Sequence, residues 1–218
     1  TGHALEQYFL GRLTRILEAN GKRPAVWNEA IEGGELARST RVHGWESVKA
    51  CLDATTAGYR TVVMPGQYFY FDMRQSPHED GHDWAAIFDV RKTYSFDFAR
   101  CGFTPAQEAN VLGVEGAFFS ELYVSHNPET PDYLDYMTFP RACALAELGW
   151  SEGVREWTEF YRRLRSHYDR MGAQGIRFRL MPPRVSYKGG VLTAAVDDDS
   201  HLTFPVDGAQ PQPYTGPI

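Results

Sequence analysis

The chain has 218 residues, 43% of them hydrophobic and 23% charged, proportions that suit a globular protein with one sizeable core or a core and a small appendage. A net charge of −6 with no basic stripe leaves a nucleic-acid partner no electrostatic footprint, and no apolar run reaches the roughly 20 residues that span a bilayer. Cys51, Cys101 and Cys143 lie far apart without metal-ligand spacing and read as scattered thiols.

In "ALEQYFLGRLTRILEA", residues 4–19, Leu5, Phe9, Leu13, Ile16 and Leu17 share one face of a helix that "NGKRP" ends. "AVW" at 25–27 reads as a short buried strand, "NEAIEGG" as a polar connection, and "TRVHGW" at 40–45 as a second strand. A helix starts around Val48, Cys51 and Leu52 and stops near Gly58; "RTVVM" at 60–64 is a third strand, closed by Pro65-Gly66. The irregular stretch 66–106 is long enough to be functional rather than a plain connection. "NVLGVEGAF", 110–118, is a fourth strand, with Gly113 and Gly116 permitting close backbone approach.

Two helical segments follow. Residues 132–150 contain Pro140, placed to kink or split them. In 155–172, Trp157, Phe160, Tyr161, Leu164, Tyr168 and Met171 recur at helical spacing. After "RFRLMPP" the composition turns to Gly, Pro, Asp and short β-type runs ("GGVLTAAV", "HLTFPV"). This sets a boundary at Pro182-Pro183, with one domain over 1–181 and a β-rich segment over 182–218. Alternating strands and helices imply a parallel sheet. Four such units, against the roughly 250 residues of a closed eight-stranded barrel, leave either half a barrel or a small doubly wound sheet.

What ends each strand points to a site. Strand one ends in Trp27-Asn28-Glu29 and strand two in Gly44-Trp45-Glu46; strand three leads to Tyr70 and Asp72, and strand four to Phe119-Ser120-Glu121. Taken singly these are core aromatics, helix-start acids and turn residues. Four successive strand ends that each carry an aromatic beside an acid or amide instead describe a sugar site, because parallel α/β folds build sites at the carboxyl ends of strands. Rings stack on apolar sugar faces while carboxylates accept from hydroxyls. "SPHEDGHDW" gathers His78, Glu79, Asp80, His82 and Asp83, but Ser-Pro and Gly make it a loop rather than a helical metal motif. Ser47 and Ser120 lack the context of a serine nucleophile.

The ordered blocks "GKRPAVWNEA", "VHGWE", "VVMPGQYFYFD", "VLGVEGAFFSE", "YMTFPRACALAELGWS" and "WTEFYRRL" resemble the family 20 glycoside hydrolases, the β-N-acetylhexosaminidases and bacterial chitobiases, over roughly residues 3–180. The resemblance implies an α/β fold of (β/α)8 TIM-barrel type, of which this chain holds strands five to eight, followed by part of a small β-sandwich-like domain. It implies retaining release of terminal N-acetylglucosamine or N-acetylgalactosamine, with the sugar's own acetamide oxygen as nucleophile. Tyr70 would hold that acetamide, Asp72 and Glu121 would bind the 4- and 6-hydroxyls, Trp27 and Trp45 would wall the pocket, and Trp84 would lie near its mouth. No cofactor or metal is implied, and a periplasmic or secreted location rests on the resemblance alone.

Three departures stand out. Asn28 replaces the usual Asp, and Phe119 replaces the usual Trp at the stacking floor. The catalytic Asp-Glu pair of the fourth barrel strand has no counterpart, since the chain contains no Asp-Glu dipeptide. The chain is therefore expected to supply half of the pocket without the general acid, to be inactive alone, and to pair with an N-terminal half or self-associate through exposed strand edges. The other reading is a non-catalytic sugar-binding or scaffold protein derived from that fold. Asp72 and Glu121 would serve gluco and galacto epimers alike.

Overall fold

The computed structural model describes residues 2–33, 36–125, 132–196, 203–204, 210, 212–213 and 215–216. These fall into two compact units, Thr1–Arg179 and Leu180–Ile218.

The first unit is built on four parallel strands in the order β1 (Ala25–Trp27), β2 (Arg41–Gly44), β3 (Arg60–Val63) and β4 (Val111–Val114). Val42, Thr61 and Val63 point one way from the sheet and are buried, as the period-two alternation of short β-branched runs requires. Helix α1 (Gly2–Ala19) precedes β1, and α2 (Val48–Thr56) links β2 to β3. The Ser47 hydroxyl caps α2 by accepting from Ala50 N at 3.1 Å. Gly44 lets α2 lie directly on β2, since a Cβ there would stand 2.5 Å from Cys51 Sγ. The two glycines of the predicted fourth strand, of which only Gly113 lies within β4, do different jobs. A Cβ at Gly116 would meet Phe71 and Leu145 at 2.7 and 2.8 Å, so this one permits close approach. Gly113 has open space around it but a φ of +151°, beside the register shift between β3 and β4; its role is conformational.

The stretch after β3 carries three short helices, α3 (Gly66–Phe69), α4 (Val90–Tyr94) and α5 (Pro105–Glu108). After β4 come α6 (Glu121–Ser125), α7 (Tyr133–Thr138), α8 (Arg141–Trp150) and α9 (Trp157–Ala173). The chain separates α7 from α8 at Phe139-Pro140, a cis peptide. Helix α9 buries Phe160, Tyr161, Leu164, Tyr168 and Met171, five of the six positions its spacing marks, with Trp157 half-buried, and Tyr94 of α4 stacks on Phe160 at 4.3 Å.

Helix α1 behaves otherwise. Its buried side chains are Gln7 and Thr14, with Gln7 Nε2 donating to Ala30 O at 3.0 Å. Leu5, Phe9, Leu13 and Ile16 are 68, 61, 40 and 55% exposed, so the apolar stripe faces outward. No helix is long and apolar enough to cross a membrane among the described residues.

The second unit begins with the hairpin β5 (Arg184–Lys188) and β6 (Val191–Ala195), turned at Gly189-Gly190, both with positive φ. A second antiparallel pair joins β7 (Thr203–Phe204) to β8 (Gln212–Pro213). Most of "HLTFPV" and "VDGAQPQPYTGPI" lies outside the described residues.

Candidate functional site

At the carboxyl ends of the strands lies a pocket of about 440 Å³ lined by Trp27, Glu29, Trp45, Tyr70, Asp72, His82, Trp84, Phe119 and Glu121. The seven residues to which the resemblance gives a site role meet there with Glu29 and His82, whereas Asn28 and Glu46 of the strand-end pattern do not line it. Trp27 is the last residue of β1, and Trp45 follows β2 directly. Tyr70 follows α3 and bridges to Ala117, extending the β3–β4 pairing to the pocket rim through Phe71 N to Ala117 O (2.6 Å) and Ala117 N to Phe69 O (3.0 Å). Phe119 and Glu121 therefore enter beside Tyr70.

The rings form a connected wall. Trp45 and Tyr70 stack 6.2 Å apart at 15°, Trp84 stands edge-on to both at 6.0 and 5.9 Å, and Phe119 tilts against Tyr70 at 5.2 Å. Trp27 meets the edge of His43, whose Nδ1 lies 3.1 Å from Glu115 Oε2. The aromatic burst at 68–71 is divided among different jobs. Phe69 packs with Phe96 in the sheet–helix core, Tyr68 lies across Phe96, and Phe71 lies under the Arg141 guanidinium; Tyr70 alone enters the pocket lining.

The polar groups are unusually placed. Asp72 is 2% exposed, and its Oδ1 has no hydrogen-bond partner. Burial raises its pKa, opposed by backbone hydrogen bonds at Asp72 and Phe119 and by the charges of His82 and Arg141. Burial, then the charges of Asp72, Glu115 and Glu29, pushes the Tyr70 hydroxyl above its ordinary value, so it stays protonated and can donate. Glu29 accepts from the Trp45 indole Nε1 at 2.9 Å.

The supporting roles of Arg141, Glu79 and Arg179 escaped the sequence reading. Arg141 is fully buried and donates to the carbonyls of Met137, Met73, Phe88 and Phe71, gripping both residues that flank Asp72. Burial lowers its pKa to about 9. Glu79 and Arg179 form a two-point pair, Nε–Oε2 at 2.8 Å and Nη2–Oε1 at 2.6 Å, with Tyr136 Oη donating to Glu79 at 3.0 Å. Burial works against the Glu79 carboxylate, but Arg179, Ser76 and Tyr136 outweigh it and hold the pKa low. Two of the three "SPHEDGHDW" acids are thus engaged in charge pairs, Asp83 with Arg74 and Glu79 with Arg179. No group of three or more His, Cys, Asp and Glu converges as for a metal among the described residues. His82 joins the pocket through the backbone, its N–H donating to Asp72 O at 2.9 Å.

An α/β sheet whose strand ends converge on an aromatic pocket with buried acids defines a class of proteins that act at the carboxyl edge of a parallel sheet. Comparison with known proteins narrows this. The family description "Glycosyl hydrolase family 20, catalytic domain" matches residues 1–153, and the chain belongs to that family. A β-hexosaminidase of Vibrio furnissii is 30% identical over 148 residues, 66% of this chain and 23% of the relative. One of Porphyromonas gingivalis is 27% identical over 218 residues, 98% of this chain and 27% of the relative. Among solved structures, an exo-β-N-acetylglucosaminidase from Vibrio harveyi in complex with N-acetylglucosamine is 32% identical, with a TM-score of 0.72 over 81% of this chain and 28% of that one. The chain thus spans about a quarter of the length of these relatives.

Proposed function

We propose that this chain forms the C-terminal half, strands five to eight, of a retaining exo-β-N-acetylhexosaminidase barrel over residues 1–181, followed by part of a β-sandwich-like domain. The observation that carries this reading is the pocket itself, in which side chains from four successive strand ends and the long connection meet. The buried, unpartnered Oδ1 of Asp72 supports it. Such an acceptor costs on the order of 1–3 kcal/mol when left unpaired, so its retention makes sense if a substrate hydroxyl completes it.

In this mechanism the acetamide oxygen of a terminal N-acetylhexosamine attacks its own anomeric carbon. The Tyr70 hydroxyl donates to that oxygen, orienting the nucleophile and stabilising the charge that develops. Asp72 and Glu121 hold the far hydroxyls, Trp27, Trp45 and Phe119 supply flat apolar surface, and Trp84 stands on the aglycone side. The proton for the leaving group comes from a carboxylic acid outside this chain. The exposed apolar stripe of α1 and the outer edges of β1 and β4 are then covered by the other half of the barrel, or by a second copy when that half is missing. In the complete protein, Tyr70→Phe should lower kcat for an aryl N-acetyl-β-glucosaminide by about 100- to 1000-fold. A rate near that of the wild type removes Tyr70 from the chemistry.

A further inference from the structure

The residue that departs from the family pattern at the end of β1, Asn28, is 5% exposed and absent from the pocket lining. Its side chain nonetheless bonds to the turn that carries Trp45 of the pocket wall. Asn28 Oδ1 accepts from Trp45 N at 3.0 Å and from Glu46 N at 3.3 Å. Two backbone N–H groups can only be answered by the oxygen, so the amide orientation is determined, and Nδ2 is the atom that donates to Glu46 Oε2 at 3.1 Å. From the other side, Gln67 Nε2 donates to Glu46 O at 2.8 Å and Gly66 N to Trp45 O at 2.8 Å. The ends of three strands are thereby tied across Trp45-Glu46. Glu29 fixes the indole that projects from this bridge.

We infer that Asn28 is a positioning residue for Trp45, and that an amide rather than a carboxylate is needed there because Glu46 faces its Nδ2. The inference rests on the hexosaminidase reading for its kinetic consequence, not for its geometry. An aspartate would still accept both backbone bonds with one oxygen. Its other oxygen would meet the Glu46 carboxylate at hydrogen-bond distance with no proton between them, and the two charges would repel. Glu46 is exposed, so its side chain turns into solvent and gives up the Nδ2 contact, and the Trp45-Glu46 turn loses one of its ties. Reversing the polarity of the contact restores it, since a glutamine at 46 can donate to an aspartate at 28.

The test is a rescue series in the complete protein, wild type, Asn28→Asp and Asn28→Asp/Glu46→Gln, with an aryl N-acetyl-β-glucosaminide as probe. Asn28→Asp should lower kcat/KM by about tenfold, mainly through KM, because a turn that has lost this tie holds the ring less firmly in the acetamide pocket. The double variant should return to within about threefold of wild type. A single variant that matches wild type, or a double variant no better than the single, overturns the inference. If Asn28→Asp does not fold, the rescue is read as recovery of folded protein in the double variant, and failure to recover counts against the clamp. If the wild type shows no turnover, the functional reading fails by itself. The clamp is then judged by the near-ultraviolet circular dichroism of the stacked Trp45–Tyr70 pair, which should change in the single variant and return in the double; an unchanged single-variant spectrum overturns it.

Discussion

The two flanks of the sheet are finished to different degrees. Beyond β4, helices α8 and α9 bury a row of aromatic and aliphatic side chains, Arg141 is enclosed among backbone carbonyls, and Arg179 is locked to Glu79. Beyond β1, helix α1 packs through Leu10 and bonds through Gln7 to Ala30 O, while Leu5, Phe9, Leu13 and Ile16 face outward. Apolar area is stabilising only when it leaves water. The first flank therefore contributes to the stability of this chain, whereas the second leaves much of its apolar area in water.

The sharpest way to break this comparison is to remove Arg141. Arg141→Met would strand the carbonyls of Phe71, Met73 and Phe88 in a buried site, and the loss should exceed about 4 kcal/mol in denaturant unfolding of the 218-residue chain. Arg141→Lys should not rescue it, since a single ammonium cannot span those acceptors. A loss below about 1 kcal/mol would mean the flank does not depend on this residue.

A smaller effect is expected at Glu79. Its folded pKa lies below that of the unfolded chain, so its contribution is full above the ordinary carboxylate range and is lost as pH falls through the lowered folded value. Glu79→Gln should cost about 1–3 kcal/mol at neutral pH and flatten the stability profile on the acid side. An unaltered profile would show that Arg179 does not anchor the long connection through this carboxylate.

Asp72 titrates in the opposite sense. Its folded pKa is raised, so the native state holds the proton longer and stability falls as pH rises from the ordinary carboxylate value through the raised one. Asp72→Asn should remove that fall and stabilise the chain at neutral pH by about 1 kcal/mol or less, while depressing hydrolysis in the complete protein. A destabilised Asp72→Asn chain would show that the carboxylate is held for the fold and not for a ligand.

The smallest change in stability belongs to the open flank. Leu5→Glu with Phe9→Glu should shift unfolding by no more than about 0.5 kcal/mol, yet reduce self-association in sedimentation at micromolar concentration. A large loss of stability would mean that the stripe is already covered within the chain.

How much of this was written in the residues differs by element. The four strands and their parallel pairing follow from short β-branched runs alternating with helices, and most pocket residues from an aromatic beside an acid at each strand end, although Trp84 comes from the long connection and Glu46 stays outside. What lay hidden depends on contacts distant in sequence. Arg141 looks like any basic residue at a helix start until the chain folds Phe71, Met73 and Phe88 around it, 53 to 70 residues away. Asn28 looks like a lost carboxylate until β1 and β2 align and bring Glu46 opposite its amide. The stripe on α1 marks a packing face, but periodicity names no partner, and among the described residues the face stays exposed. Gly113 and Gly116 are identical in sequence terms, and only the register shift and the Phe71 ring separate their roles.

The most direct test of the account is hydrolysis of an aryl N-acetyl-β-glucosaminide by the 218-residue chain alone. On the half-site reading no turnover is expected from the chain alone, with turnover in the complete protein that depends on Tyr70. Clear turnover by the chain alone, abolished by Glu29→Gln or Glu121→Gln, would place the acid within these residues and contradict the half-site reading.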